Sequence, residues 1–375
     1  MAKIFFCGDV INQFSDTQFV SSELCDIIKE CDYSVCNLEG VIAYKNEGFA
    51  SMKQNYSTAK HLREAGFDLA LLANNHITDY GKEALSHTIE CLSKHNIAYT
   101  GAAFSYEEAY KIHYFTNNEI KYAIINLCEA QGGQYDFASN EFGHAWIGAS
   151  CIDSIIKEAN LQADIVFLCV HAGLEHYQLP LEQFREIYRH YCDLGVDVVI
   201  GSHPHIVQGV ESYNKSLIFY SLGNFYFPRN PDADYKTDEE NQAFSVVLKV
   251  DRNLRITYEV IYHKIDNKMV QLTQATPLID IARLSQMLGD DYNNLIDKQV
   301  VEAFYSLPIN LLRISLNGIS YSDGILQKIK IVVRYLLKRR EQKAECDSRM
   351  KLLKHVINNE TYRYLITSVI NKRIY

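Results

Sequence analysis

Short apolar runs recur along the first two thirds of the chain, each handing over to a polar, glycine-containing segment. The runs are Lys3–Cys7, Tyr33–Cys36, Phe67–Leu72, Ile97–Gly101, Lys121–Leu127, Asp164–Val170, Val196–Ile200 and Leu217–Tyr220. Their length and their β-branched and aromatic content predict buried strands. Between them, residues 18–30, 58–66, 82–95, 151–160 and 180–194 carry apolar positions at helical spacing, with Gly66 as the C-terminal stop of the second helix. Strand–helix alternation of this kind predicts an α/β fold with a largely parallel sheet. Residues 244–263 switch to strict alternation (Phe244, Val246, Leu248, Val250, then Ile256, Tyr258, Val260, Tyr262) around Asp251-Arg252-Asn253, which predicts an antiparallel pair. Residues 129–149, with four glycines and Trp146, read as one long loop, and such loops tend to be functional. No internal repeat or low-complexity segment stands out.

The polar residues that follow the runs change the picture. In an open α/β sheet the carboxyl ends of the strands are where ligands bind. Here those ends carry Asp9; Asn37 and Glu39; Asn74, Asn75, His76 and Asp79; His171 and Glu175; His203 and His205; and Asn224. Taken singly, each has an ordinary explanation: Asp9 as a turn former, the asparagines as helix caps, a lone histidine as a core residue. Together they form a mixed nitrogen and oxygen donor set without thiolate, which suits Mn, Fe, Zn or Mg and argues against a structural zinc site. Metal-assisted phosphoryl hydrolysis needs such a set. Within it, His76 can protonate a leaving group or stabilise a phosphate oxygen, and Asp79 three residues on can orient it. His203 and His205 share a face if the segment is extended, and Pro204 biases His203 that way. Gly201 allows a turn or a close backbone approach.

Composition narrows the class. At 375 residues the chain is long enough for one large or two modest domains. The net charge of −9 offers no basic field for nucleic acid. Ten cysteines without a CxxC pair read as reduced thiols. No stretch approaches the roughly 20 apolar residues of a membrane helix. The first run begins at once after Met1-Ala2-Lys3, leaving no room for a signal peptide of about 15–30 residues, so a cytoplasmic location is expected. Past about residue 265 the strand-end motifs stop. A helical pattern follows, clearest at Ile325, Leu326, Ile329, Val332, Val333, Leu336 and Leu337, and from Tyr321 onward 13 Lys and Arg face 5 Asp and Glu. This basic tail reads either as a docked subdomain or as a surface for a partner or an anionic membrane.

The segments Gly8-Asp9-Val10, Asn37-Leu38-Glu39-Gly40, Ala73 through Gly81, His171 through Glu175, Gly201 through Gly209 and Tyr220 through Phe225 together resemble the capsule-synthesis CapA (poly-γ-glutamate synthesis) family of the calcineurin-like metallophosphoesterases. The resemblance implies a four-layer α/β/β/α β-sandwich over residues 1–265, with 266–375 as a helical, basic extension. It implies one or two divalent metal ions (Mn, Fe or Zn). Asp9 and His205 would hold one, Asn75, His171 and His203 the other, with Glu39 bridging, His76 facing the phosphate and Asp79 behind it. Asn37, Asn74, Glu175 and Asn224 would support these residues or contact substrate. Two positions depart from the superfamily pattern: Ile11 replaces the histidine of an Asp-x-His, and Glu39 replaces a bridging aspartate. The function implied is phosphoester hydrolysis in capsule or cell-surface polymer synthesis, on a phosphorylated or polymeric precursor. The chain would work beside the synthesis machinery, in the cytoplasm or peripheral to the membrane. A non-catalytic scaffold and a γ-glutamyl amide hydrolase are the other readings left open.

Overall fold

Alternate residues of the strand Ala2–Val10 feed two different cores in the computed structural model, which describes residues 1–43, 52–135, 141–228, 238–311, 350 and 352–372. Ile4 and Phe6 go to one core, Phe5 and Cys7 to the other. A strand that is apolar on both faces has to be covered on both. The Phe5 side is covered by the helices Ser22–Lys29, Thr58–Ala65 and Gly81–Lys94, through Leu24, Ile28, Leu62, Leu85 and Leu92. The Ile4 side is covered by a second sheet, through Tyr122, Ile124, Phe167 and Ile200, and Phe6 meets Phe167 edge-on at a centroid distance of 5.2 Å. Helices Ile152–Gln162 and Glu182–Asp193 pack against that second sheet. The layers are therefore helix, sheet, sheet, helix. Each buried Leu, Ile or Phe contributes about 1.5–3 kcal/mol. Exposed pairs such as Lys60–Glu64 contribute under about 1 kcal/mol, so burial holds the layers together.

Among the described residues the first sheet has eight strands. Its order is Met269–Leu272, Ile256–Asp266, Gln242–Val250, Ala2–Val10, Tyr33–Leu38, Leu69–Leu71 and Ala98–Thr100, with Asn224–Tyr226 also on Ala2–Val10. The amino half of Ala2–Val10 pairs antiparallel with Gln242–Val250, and its carboxyl end pairs parallel with Asn224–Tyr226. The second sheet runs Val210–Tyr213, Ser216–Phe219, Val198–Ser202, Ile165–His171, Ile120–Cys128 and His113–Asn117. Its parallel register sets His171 beside both Ser202 and Cys128.

Several segments read as loops are strand. Gly8-Asp9-Val10 continues the first strand, and Gly8 is needed for contact rather than for a turn. A Cβ there would lie 1.9 Å from the Gly223 carbonyl oxygen. Within residues 129–149, Gln134–Tyr135 and Gly143–Ala145 pair in a small third sheet, strands too short to show a period. His113–Asn117 is a further strand, outside the apolar runs. It forms a hairpin with Ile120–Cys128 through Asn118 and Glu119, both at positive φ, a turn that Asn accepts and Glu seldom signals.

The strand Met269–Leu272 carries the first sheet past residue 265. The chain divides into two units, Met1–Glu129 with Gly133–Asp290, and Ala130–Gly132 with Asp291–Tyr375. In the second, helices Tyr292–Ser306 and Glu360–Lys372 pack together, and Glu360 bonds Ala130 in both directions, donating its N–H at 2.7 Å and accepting at Oε2 at 2.9 Å. The helical stretch expected at Ile325–Leu337 lies outside the described residues. No helix among the described residues is long and apolar enough to cross a membrane.

Two expected results arise from the packing. At Gly201 a Cβ would sit 2.0 Å from the Tyr220 carbonyl oxygen, a backbone atom that cannot swing aside. Gly201→Ala is expected to lower the unfolding free energy by about 3 kcal/mol or more, read from urea midpoints. The second concerns His263, fully buried in the strand Ile256–Asp266, with Nε2 3.0 Å from Ser245 Oγ. Burial pulls its pKa from 6.5 down to about 3. The unfolded chain therefore binds this proton first as pH falls. The folded protein should lose on the order of 4 kcal/mol between pH 6.5 and 3, and His263→Leu should flatten that part of the stability profile in pH-dependent urea melts.

Candidate metal centre

The parallel strands bring their polar ends to one edge of the sandwich. Asp9, fully buried, sits at the centre of a network. Asn37 Nδ2 donates to its Oδ1 at 2.7 Å and the His203 N–H to its Oδ2 at 3.1 Å. His171 Nδ1 and His205 Nδ1 each lie 3.5 Å from a carboxylate oxygen. The second sheet supplies the imidazoles. His171 Nε2 is 3.1 Å from Asn75 Oδ1 and 3.0 Å from His203 Nδ1. Asn75, His171 and His203 thus cluster around one point, as do Asp9 and His205 around another.

Glu39 lies between the two clusters. Its Oε1 is 3.8 Å from His76 Nε2, 3.8 Å from His171 Nε2 and 3.9 Å from His205 Nε2. It is fully buried, and neither carboxylate oxygen has a hydrogen-bond partner among the described residues. An unpartnered buried carboxylate is costly. Burial, with the charges of Asp9, Glu175 and Asp79 nearby, pushes its pKa well above the ordinary value. Two sets of donor atoms each fall within 4.8 Å of one another, Glu39 with His171 and His203, and Asp9 with Glu39 and His205. Glu39 belongs to both, so a divalent cation in either would give the orphaned oxygens a partner. The residues fit such an ion.

Burial sets the imidazoles up as ligands. It drives the pKa of His171 well down, helped by His203, His76 and His144, and that of His205 to about 4. Both are neutral at pH 7 and so have a lone pair to offer. At His203 burial also pulls downward, but Glu129, Glu175 and Asp9 outweigh it and the net shift is upward.

The backbone of the histidine pair is not extended. His203 has φ 97° and His205 φ 61°. The bias from Pro204 is overridden because the chain must curl for the His203 N–H to reach Asp9 and for both rings to turn inward. Non-glycine residues held in this region cost about 1–3 kcal/mol each and cluster at functional sites. Asn224 also differs from its reading. It opens the strand Asn224–Tyr226 rather than following one. Gly223, at φ 75°, redirects the chain from the second sheet into the first. Asn224 there sits opposite Asp9, and its Oδ1 is 3.0 Å from His205 Nδ1.

His76 is held from behind: its Nδ1 lies 2.7 Å from Asp79 Oδ2, leaving Nε2 towards Glu39. Asn74 fixes that loop, accepting from the Gly40 and His76 N–H groups and donating to the Leu38 and Leu72 carbonyls. Glu175 lies at the rim, 44% of its side chain exposed, with Oε1 3.9 Å from His203 Nε2. Partial burial raises its pKa, but His203, His205, His176 and His76 prevail and bring it to about 2. Beside it His176 Nδ1 contacts Glu240 Oε1 at 3.0 Å. Ile11 has a hydrocarbon side chain, fully buried, so position 11 offers no ligand atom.

Three residues of the site were not read from the sequence. Glu129, fully buried, brings Oε1 to 3.3 Å from His203 Nε2. It stands directly after the strand Ile120–Cys128, the same address as the others, and that was the available signal. Asn126 bridges the sheets, accepting from the Ala73 N–H and donating to the Cys169 carbonyl. Gln54 donates to the Glu39 and Val10 carbonyls. Nothing in the local pattern of either residue marks it.

Residues 3–229 match the family model described as "Bacterial capsule synthesis protein PGA_cap". "PGA biosynthesis protein CapA" of Bacillus subtilis (strain 168) is 31% identical over 207 residues, 54% of this chain and 54% of that one. "Capsule biosynthesis protein CapA" of Bacillus anthracis is 27% identical over 230 residues, 58% of this chain and 56% of that one. The chain thus spans about half the length of these relatives. Among solved structures, a hypothetical protein from Thermus thermophilus overlaps with a TM-score of 0.47 at 16% identity, over 70% of this chain and all of that one. A 5'-nucleotidase precursor from the same organism gives 0.42 at 13% identity, over 80% and 60%.

Proposed function

Because the chain belongs to the bacterial capsule synthesis protein family, we propose that it is a divalent-metal-dependent phosphoester hydrolase acting in the synthesis of a capsule or other cell-surface polymer. The observation that carries this reading is Glu39, a buried carboxylate without a hydrogen-bond partner among the described residues, between two groups of donors. Asp9, Glu39 and His205 would hold one cation, and Glu39, Asn75, His171 and His203 another; Mn, Fe or Zn suits these donors. A bound divalent cation polarises a phosphoryl oxygen and makes hydroxide available near neutral pH.

The chain's own residues do the rest. His76, oriented by Asp79, presents Nε2 on the side of Glu39, where it can donate to a phosphoryl oxygen or hand a proton to the departing oxygen. The Phe227 ring lies 5.4 Å from the His205 ring, centroid to centroid, and gives that side an apolar wall. The substrate in this reading is a phosphorylated or polymeric precursor of the cell surface. The protein works in the cytoplasm or against its membrane, with the basic residues beyond Tyr321 as the contact to machinery or anionic lipid.

The test is a panel of aryl phosphate mono- and diesters and γ-glutamyl amides, assayed with protein loaded separately with Mn, Fe and Zn. Phosphoester turnover that His205→Ala removes supports the reading. Turnover of the amides alone moves the chemistry to a carbonyl. A second reading, a non-catalytic scaffold, is favoured by Ile11, which leaves the Asp9 cluster without an imidazole that catalytic relatives of the superfamily carry. In that case the metal binds and neither substrate class is turned over.

A further inference from the structure

We propose that Glu129 is a positioning residue that fixes which ring nitrogen of His203 is free to bind a cation. The inference rests on the metal-centre reading above. The two nitrogens of His203 face different surroundings. Nδ1 is 3.0 Å from His171 Nε2, on the side where Glu39 completes the donor group. Nε2 is 3.3 Å from Glu129 Oε1. The other carboxylate nearby, Glu175, stands at 3.9 Å, beyond hydrogen-bond reach, at the exposed rim. His203 is 1% exposed and Glu129 is fully buried, so bulk solvent reaches neither. The Glu129 N–H donates to the His171 carbonyl at 3.1 Å. Glu129 is thereby tied to two histidines, through its backbone to the main chain of His171 and through its side chain to the ring of His203.

A neutral imidazole carries one proton, and the partner at one nitrogen decides the state of the other. A carboxylate oxygen accepts a hydrogen bond, and Oε1 of Glu129 lies 3.3 Å from His203 Nε2. Glu129 therefore holds the proton on Nε2 and leaves the Nδ1 lone pair directed at the donor group. Without it, a proton on Nδ1 would be stabilised by the His171 Nε2 lone pair 3.0 Å away. Two ligand atoms would then satisfy each other and close the site. A carboxylate behind a metal-binding histidine works in this way, and its loss typically costs about 10–100-fold in metal affinity.

The test uses the full chain, with histidine-selective nitrogen-15 NMR of metal-free protein at pH 8 and calorimetric titration with Zn. Wild type should show His203 protonated at Nε2 and bare at Nδ1. Glu129→Met, similar in volume but without an acceptor, should move the proton towards Nδ1 and weaken Zn binding about 10–100-fold. Glu129→Gln, which keeps an acceptor oxygen, should fall between them. A wild-type proton on Nδ1, or a folded Glu129→Met variant with unchanged tautomer and Zn affinity, overturns the proposal. The wild-type spectrum decides even if the variants do not fold. If wild type shows the expected tautomer and binds no Zn, the metal reading fails while the assignment of Glu129 to His203 stands.

Discussion

Glu39→Gln is expected to give a protein that is more stable without metal and unable to hold it. Both oxygens of Glu39 are buried without a hydrogen-bond partner among the described residues, and its pKa is pushed well above the ordinary 4.5 by burial, Asp9, Glu175 and Asp79. For a group whose folded pKa is raised, folding is favoured at low pH, and that advantage is lost as pH climbs through the folded value. Wild type without metal therefore carries a penalty that grows above pH 4.5 and that the neutral isostere does not share. The gain at pH 7 should be about 1–3 kcal/mol, visible in urea melts, and should vanish near pH 4. Affinity for Mn or Zn should fall by more than about 100-fold, beyond the loss of an outer partner, because Glu39 belongs to both donor groups. A residue kept only for packing would not trade stability for metal in this way. An unchanged affinity removes Glu39 from the centre.

The second large effect is expected at His76. His76→Ala should lower phosphoester turnover by about 10²–10⁴-fold, the usual worth of a positioned acid or base. Metal content should not change, since His76 belongs to neither donor group. If it protonates the leaving oxygen, the loss should be largest for alkyl esters and small for nitrophenyl esters, whose leaving groups need no proton. If it stabilises the phosphoryl oxygens, the loss should be the same for both. Asp79→Asn should show the same pattern with a smaller loss, since the ring keeps its place and loses its orienting charge. Metal lost together with turnover in His76→Ala would mean that the residue is a ligand.

Much of this was legible in the residues themselves. The strand Ile165–His171 could be read because its run is unbroken; the four layers followed from the family resemblance, and the structure shows how Ile4 and Phe6 feed one core and Phe5 and Cys7 the other. The site was legible because ligands in α/β sheets gather at strand ends, so Asp9, Glu39, Asn75 and His171 share an address. What was hidden depends on partners far away in the chain. The curled backbone at His203 exists to bring its N–H to Asp9, 194 residues earlier, and no local rule outweighs the preference that Pro204 imposes. Gly8 and Gly223 look like turn formers. Their contact is visible only once the strand Asn224–Tyr226 leaves one sheet for the other. Glu129 stands after a strand as the others do, but a glycine-rich stretch follows it, which reads as loop.

All of this depends on cations bridging segments that the fold draws together, and metal analysis reads that directly. Protein purified without chelators, examined by elemental mass spectrometry and then stripped and titrated with Mn, Fe and Zn, is expected to carry one or two equivalents of a divalent transition metal and to rebind them. Folded wild-type protein that arrives without metal and takes up none of the three would contradict the account.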